Sequence, residues 1–222
     1  MSDLGEKVKD SIARIKAFYP KDGRGYYLAF SGGKDSVVCK FLLGMAGVKF
    51  DGHYHVTSVD PPEMYRFIRD KHPDIDREVP KYPYENRFGV LQGKPITMWN
   101  LIMWKKTLPT RRMRFCCEFL KESGGDGRMT VTGVRWAESN RRLENQGIVT
   151  ILDKKIAKDF SDNSDFMVTR KGGVVLVNDN CDSRRTVESC YLRHKTVLNP
   201  IIDWEDRDVW DFIRSERILL RI

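Results

Sequence analysis

Residues 26–36 predict a buried strand, a glycine turn and the start of a helix, in that order. The strand is the apolar run from Tyr26 to Phe30, and Gly32 and Gly33 form the turn. Because glycine has no Cβ, backbone N–H groups can face the concave side of such a turn, towards which the positive end of the helix dipole also points. The stretch therefore predicts an anion site between the strand and the helix.

Side chains in the same stretch favour phosphate as the anion. Ser31 and Ser36 add hydroxyl donors, Lys34 adds a positive charge, and Asp35 follows it. Each charge-assisted hydrogen bond of this kind contributes about 1.5–3 kcal/mol. An ordinary strand-to-helix turn with a solvated lysine is the alternative. The spacing excludes the common P-loop, which has four residues between its first glycine and Gly-Lys-Ser/Thr.

Residues 31–36, Ser-Gly-Gly-Lys-Asp-Ser, resemble the pyrophosphate loop (PP-loop) Ser-Gly-Gly-x-Asp-Ser of the adenine nucleotide α-hydrolase-like superfamily. That superfamily includes ATP pyrophosphatases, tRNA thiolation enzymes, the small subunit of ATP sulfurylase and the phosphoadenylyl-sulfate (PAPS) reductases. In the members that use ATP, the loop holds the β,γ-pyrophosphate while the α-phosphate is attacked. The resemblance implies the same role here.

Composition indicates a globular protein with a basic surface. The chain has 222 residues, 41% of them apolar, and a net charge of +8. The charge suits a nucleotide or a nucleic acid as ligand, although a basic soluble surface alone has the same composition. Five cysteines and an N-terminus without an apolar signal core are typical of a reducing cytoplasm. The longest apolar run, residues 41–48, is too short for a membrane span, so we expect no membrane partner.

The segments before residue 80 predict supporting elements and one candidate ligand contact. Residues 1–24 predict an N-terminal packing helix without chemistry. Residues 50–59 predict a strand that ends at Asp60 and two prolines, and residues 76–80 predict a short third strand. Because parallel sheets bind ligands beyond the carboxyl ends of their strands, Asp60 is a candidate contact for ribose, Mg²⁺ or substrate. Capping of the next helix is its alternative role.

A second informative stretch, residues 110–121, follows a predicted helix at 97–106 whose tryptophans, Trp99 and Trp104, we expect in the core. The stretch has three arginines in four residues, followed by two adjacent cysteines. Arginines at this density face solvent or an anion, and the cysteines could serve an iron–sulfur cluster or act as thiolates. Two small buried thiols at a helix start are the alternative. The candidate metal ligands are Cys116 and Cys117, with Cys190 as a third.

A third stretch follows a predicted strand at 129–133. It resembles the Gly-x-Arg-x-x-(Glu/Gln)-Ser-x-x-Arg segment of the PAPS reductases, with matches at Gly133, Arg135, Glu138, Ser139 and Arg142. A glycine at the end of a strand admits a ligand close to the backbone, and two arginines can clamp phosphate or sulfate. We therefore expect replacement of either arginine to change turnover rather than stability. A solvated basic loop is the alternative.

The last third of the chain carries one more family motif. Residues 154–173 are polar and predict a flexible excursion, and residues 174–177 predict a strand. Residues 199–210 resemble the Pro-Ile-x-Asp-Trp…Asp-Val-Trp segment of the PAPS reductases and predict a strand, an acidic helix start and a helix to about residue 217. Cys181 and Cys190 match no metal motif.

The resemblance to the PAPS reductase family thus extends over residues 26–212 through four motifs in order. It implies an α/β fold, namely a Rossmann-like doubly wound, mostly parallel sheet in a single nucleotide-binding domain at residues 25–217. It also implies an adenine nucleotide as ligand. The expected catalytic residues are Lys34, Asp35 and Arg135, and the expected nucleotide contacts are Ser31, Gly32, Gly33, Lys34, Asp35, Ser36, Asp60, Gly133, Arg135, Glu138, Ser139 and Arg142.

Two departures from the reductases affect the expected reaction. Reductases of APS or PAPS typically have a degenerate loop without a lysine such as Lys34, and they need a cysteine in a C-terminal tail, whereas no cysteine follows Cys190 here. We therefore expect an ATP pyrophosphatase that cleaves ATP between the α- and β-phosphates with Mg²⁺, for adenylation or sulfur transfer. Sulfonucleotide reduction is one alternative, and a non-catalytic subunit that binds nucleotide or nucleic acid is another.

The end of the chain leads to a further expectation. Related proteins continue into a Cys-x-x-Cys segment that can complete a 4Fe–4S cluster, whereas this sequence stops after the largely apolar residues 218–222, Ile-Leu-Leu-Arg-Ile, which we interpret as a truncated C-terminus. Two or three thiolates are fewer than such a cluster usually has. We therefore expect little bound iron in the isolated chain, and a partner chain or a sulfur-donor protein as its associate.

Overall fold

The computed structural model describes residues 4–81, 93–110, 113–121, 124–138, 149–151, 166–168, 173–176 and 196–216. The chain divides into two compact units, Met1–Gly52 with Gly125–Ile222, and His53–Gly124. The first unit contains α1 (Leu4–Ala17), β1 (Tyr26–Ala29), α2 (Lys34–Ala46), the start of β2 (Phe50–His55), β4 (Met129–Val131), a 3-10 turn (Trp136–Glu138), β5 (Val149–Ile151), β6 (Phe166–Val168), β7 (Gly173–Leu176), β8 (Thr196–Leu198) and α6 (Asp206–Ser215). The second contains the end of β2, α3 (Pro62–Lys71), β3 (Ile75–Glu78), α4 (Met98–Lys105) and α5 (Phe115–Leu120).

Parallel strands form the part of the first unit's sheet that carries the glycine turn. The strand order of the whole sheet in this unit is β2-β1-β4-β8-β5-β7-β6. β4 runs parallel to both of its neighbours, with Thr130 opposite Tyr27 on β1 and opposite Val197 on β8. Because parallel strands end at the same edge of a sheet, the turns after β1, β4 and β8 lie together. The predicted α/β fold of Rossmann-like type is confirmed.

Three antiparallel strands extend this sheet. The sequence predicts a strand at 174–177, where the structure has β7, but it predicts neither β5 nor β6. β5 pairs antiparallel with β8, and β7 pairs antiparallel with both β5 and β6. The flexible excursion predicted for residues 154–173 is wrong at Phe166–Val168, which is strand β6. Three apolar residues inside a polar segment are enough for a short strand when a partner such as β7 is available.

Helix α1 does more than pack, because polar side chains on it hold the segment after β8. Arg14, which is fully buried, donates to both carboxylate oxygens of Asp203 at 2.8 Å and to the Pro200 carbonyl at 3.0 Å. Ser11 donates to the same carbonyl at 2.9 Å and accepts from the indole of Trp204 at 3.1 Å. These bonds shape the chain after β8 into a turn, so the strand predicted at the start of residues 199–210 ends instead at residue 198.

The second unit has its own apolar cluster under α4 and α5. The buried members are Ile96, Leu101, Phe115, Phe119 and Leu120. Trp104 packs edge-on against Phe119 at 5.4 Å, whereas Trp99 is 70% exposed, so the expected core position of Trp99 is wrong. Trp99 and Met103, four residues apart, lie on the helix face away from the cluster.

Among the described residues, no helix combines the length and the apolarity needed to cross a bilayer.

Candidate active site at the glycine turn

The glycine turn joins β1 to α2 in a conformation that leaves the start of the helix open. Gly32 has a φ of 76°, a left-handed conformation that residues with a Cβ rarely adopt. Gly33 is the N-cap residue of α2, and no side chain caps this helix. The first N–H groups of an uncapped helix carry its partial positive charge, which makes them a ready anion site. The geometry fits a phosphate site at this turn, which stays a prediction.

The two serines of the turn differ in role. The hydroxyl of Ser36 donates to the Gly33 carbonyl at 2.8 Å and accepts from the Ser31 amide at 3.3 Å, and Ser36 is only 4% exposed. Ser36 therefore braces the turn in this state rather than offering its proton to a ligand. Ser31 is exposed; its hydroxyl donates to Ser36 Oγ and its oxygen accepts from the Gly33 amide, both at 3.3 Å. Ser31 is the serine whose hydroxyl a ligand can reach.

Four charged side chains meet beside the turn. Lys34 Nζ lies 3.3 Å from a carboxylate oxygen of Asp35 and 3.2 Å from one of Asp206. The guanidinium of Arg135 lies 2.7 Å from Asp35 through Nε and 2.7 Å from Asp206 through a terminal nitrogen. Arg135 also donates to the Trp204 carbonyl at 3.3 Å. The structure thus brings Lys34, Asp35 and Arg135 together as the sequence predicts, and it adds Asp206.

Arg135 is 1% exposed, and this burial changes the expected effect of replacing it. A buried guanidinium between two carboxylates contributes to folding, because its loss removes one of the two cations that contact each of them. The expectation that its replacement spares stability therefore does not fit its position. A contact of Arg135 with the ligand stays a prediction.

Asp206 was missed by the sequence reasoning, which treated it only as part of an acidic helix start. It is the first residue of α6, and its side chain is 73% exposed although it contacts two cations. Hydrogen bonds from Arg135 first and Lys34 second, together with their charges, hold the pKa of its carboxyl below the ordinary value. Asp206 is therefore ionised at neutral pH.

Gly133 follows β4 and allows a close approach, but of protein rather than of ligand. A Cβ at this position would lie 2.8 Å from Cβ of Asp35 and 2.9 Å from its carbonyl carbon. The space that a side chain needs is therefore filled by the first turn of α2. This contact explains the glycine without a ligand, and the nucleotide contact expected of Gly133 stays a prediction.

The remaining members of the Gly-x-Arg segment are only partly described. Glu138 is exposed, and its carboxylate accepts from the Arg135 amide at 3.4 Å within the turn. Ser139 and Arg142 lie outside the described residues. Their nucleotide contacts stay predictions.

Asp60 belongs to the second unit and is held there by a neighbouring side chain. Its carboxylate accepts from the hydroxyl of Tyr54 at 2.8 Å. The N-cap residue of α3 is Pro61, and no side chain caps the helix, so the capping role considered for Asp60 is wrong.

Ser58, two residues before Asp60, has a φ of 63°, and its hydroxyl oxygen accepts from the Met98 amide at 2.9 Å. Such strained residues are common at functional sites.

The adjacent cysteines lie at the start of α5, as in the alternative interpretation of this stretch, but both are only partly buried. Burial, and then the charge of Cys117, raise the pKa of the Cys116 thiol, so Cys116 is protonated at neutral pH rather than a thiolate. Arg114 donates to the sulfur of Cys117 at 3.4 Å. Within the described part of the chain, no three His, Cys, Asp or Glu residues are grouped to hold a metal ion. Cys181 and Cys190 lie outside it, so the iron–sulfur ligand set stays a prediction.

Comparison with known proteins identifies the family. The model of the phosphoadenosine phosphosulfate reductase domain matches residues 25–221. No curated protein matches the chain. The family match covers all the motifs described above and most of the chain. The chain therefore belongs to the phosphoadenosine phosphosulfate reductase family of the adenine nucleotide α-hydrolase-like superfamily.

Proposed function

We propose that this protein binds ATP through the glycine turn and cleaves it between the α- and β-phosphates, for adenylation of an acceptor or sulfur transfer to it. The observation that carries the proposal is the open start of α2 with Lys34 at its first position. Backbone N–H groups and an ammonium group at one helix start suit the β,γ-phosphates of a nucleotide better than a single sulfate.

The chemistry assigns a task to each group at the turn. A nucleophile on the acceptor attacks the α-phosphorus, the bond from that phosphorus to the bridging oxygen breaks, and pyrophosphate leaves with the electron pair. Lys34 and the helix start would hold the leaving pyrophosphate. Asp35 offers a carboxylate oxygen of the kind that Mg²⁺ prefers, and a bound Mg²⁺ would neutralise charge on the phosphates.

Product analysis tests this proposal. The purified chain is incubated with Mg²⁺ and with ATP that is labelled in its α-phosphate. We expect labelled AMP or a labelled adenylylated acceptor, together with pyrophosphate, and we expect neither product from Lys34→Ala. Labelled ADP would contradict the proposed site of cleavage. ATP that binds tightly but stays intact, whichever candidate acceptor is added, would favour a non-catalytic subunit.

Nucleic-acid binding by the second unit is a second candidate function. Trp99 and Met103 are 70% and 79% exposed on α4, and the lysines Lys94, Lys105 and Lys106 near this helix are exposed. Single-stranded nucleic acids bind where aromatic side chains stack on bases and cations contact phosphates. The test is quenching of tryptophan fluorescence by an oligonucleotide, which Trp99→Ala should abolish. Trp210→Ala, which removes an exposed tryptophan from α6, is the matched control, and equal quenching in all three proteins would exclude this candidate.

A further inference from the structure

Asp206 contacts both cations of the charged group beside the glycine turn. Its carboxylate oxygen lies 3.2 Å from Lys34 Nζ and 2.7 Å from Arg135, so one oxygen contacts two cations. Together, Lys34, Arg135, Asp35 and Asp206 carry two positive and two negative charges. A phosphate that approaches this group therefore meets a lysine whose charge is already neutralised.

The four side chains differ in how readily they can move. Arg135 and Asp35 have side chains that are 2% and 19% exposed, whereas that of Asp206 is 73% exposed. Asp35 follows Lys34 in the first turn of α2, and from there it contacts Arg135. Asp206 lies on α6 instead, and its exposed carboxylate can leave Lys34 for solvent by rotation of its side chain alone.

We propose that Asp206 is a specificity-determining residue that stands in for a ligand phosphate in the free protein and is displaced from Lys34 when a polyphosphate binds. The proposal rests on the proposed function, since it concerns the same loop. A ligand must offer more negative charge than one carboxylate in order to replace it. Pyrophosphate and the β,γ-phosphates of ATP meet this requirement, whereas a singly charged anion does not.

Calorimetric titration with inorganic pyrophosphate tests the displacement. We compare the wild type with Asp206→Asn, Asp206→Glu and the control Asp211→Asn, which removes the same charge from the exposed side of α6. We expect Asp206→Asn to bind pyrophosphate roughly three- to tenfold more tightly, because the competing charge is gone while the amide oxygen can still accept from Arg135. Asp206→Glu and Asp211→Asn should bind like the wild type. The gain in Asp206→Asn should shrink at high salt, as an electrostatic effect does and a structural one does not.

The outcomes separate this inference from the proposed function. Wild-type binding with unchanged or weaker binding in Asp206→Asn would overturn the displacement but leave the phosphate site intact. The same gain in Asp211→Asn would overturn it too, since the effect would then be one of net charge. Absence of pyrophosphate binding in all four proteins would contradict both proposals. Thermal melting of each variant shows that the compared proteins are folded.

Discussion

Lys34 Nζ lies 3.2 Å from the carboxylate of Asp206, so the first residue of α2 is paired with the first residue of α6. This ion pair joins the glycine turn to the segment after β8, and Arg135 from the turn after β4 contacts the same carboxylate. Three motifs that are far apart in sequence therefore form one charged group at the edge of the parallel strands. Changes at any of the three should affect the others.

Replacement of Lys34 should weaken phosphate binding without unfolding the protein. Its side chain is 28% exposed, and the loss of one charge-assisted contact corresponds to about a 10- to 150-fold weaker binding of ATP. Isothermal calorimetry of Lys34→Ala measures the change, and Lys9→Ala, at an exposed position on α1, is the control. Unchanged ATP affinity in Lys34→Ala would show that the lysine does not contact the nucleotide.

Replacement of Arg135 should lower stability as well as activity. Arg135→Ala removes a buried guanidinium from between Asp35 and Asp206, which keep Lys34 as a partner, so we expect the loss of about 1.5–3 kcal/mol that is typical of hydrogen bonds to charged groups. Arg135→Lys retains the charge but cannot reproduce the planar fork that contacts both carboxylates, so we expect an intermediate loss. Urea unfolding gives the free energies. Wild-type stability in Arg135→Ala would mean that the buried pairs contribute nothing to folding.

Gly133→Ala should destabilise the protein, and Gly44→Ala should not. The new Cβ at position 133 would lie 2.8 Å from Cβ of Asp35, so β4 and α2 must separate, at about 1–3 kcal/mol. Gly44 is a helical glycine with no atom within 4 Å of a built Cβ, so alanine there should stabilise by about 0.5–1 kcal/mol. Melting temperatures that move in the same direction for both variants would contradict this account.

Acid should weaken the contact between α1 and the turn after β8. Burial, the largest influence, opposes ionisation of Asp203, but the hydrogen bonds and charge of Arg14 outweigh it, so the pKa of the carboxyl lies below its ordinary value. A lowered pKa means that the stabilisation is complete above the unfolded-state value of about 3.9 and is lost as the pH falls through the folded-state value. We therefore expect Asp203→Asn to be less stable than the wild type at about pH 6, with a difference that shrinks at about pH 3. A difference that stays constant over this range would show that the ionised carboxylate is not what stabilises the turn.

Local sequence patterns predict the glycine turn and the Gly-x-Arg segment, but not the side chains that pair with them. Asp206 and Arg14 each contact residues that are distant in sequence, and the periodicity of a sequence does not predict such tertiary contacts. Trp99 was misplaced because α4 is apolar on nearly every side, so the pattern does not show which face is buried. Ser36 looked like a ligand donor because a sequence does not show that the turn itself takes its proton. The assignment of one domain stays a prediction.

Comparison of nucleotide affinities tests most directly the claim that the glycine turn holds a pyrophosphate group. ATP, pyrophosphate, AMP and adenosine 5′-phosphosulfate are titrated into the wild type and into Lys34→Ala. We predict that ATP and pyrophosphate bind the wild type and lose about tenfold or more in affinity on Lys34→Ala, while AMP binds both proteins equally. Equal wild-type affinity for AMP and ATP, or strong binding of the phosphosulfate that does not depend on Lys34, would contradict the account.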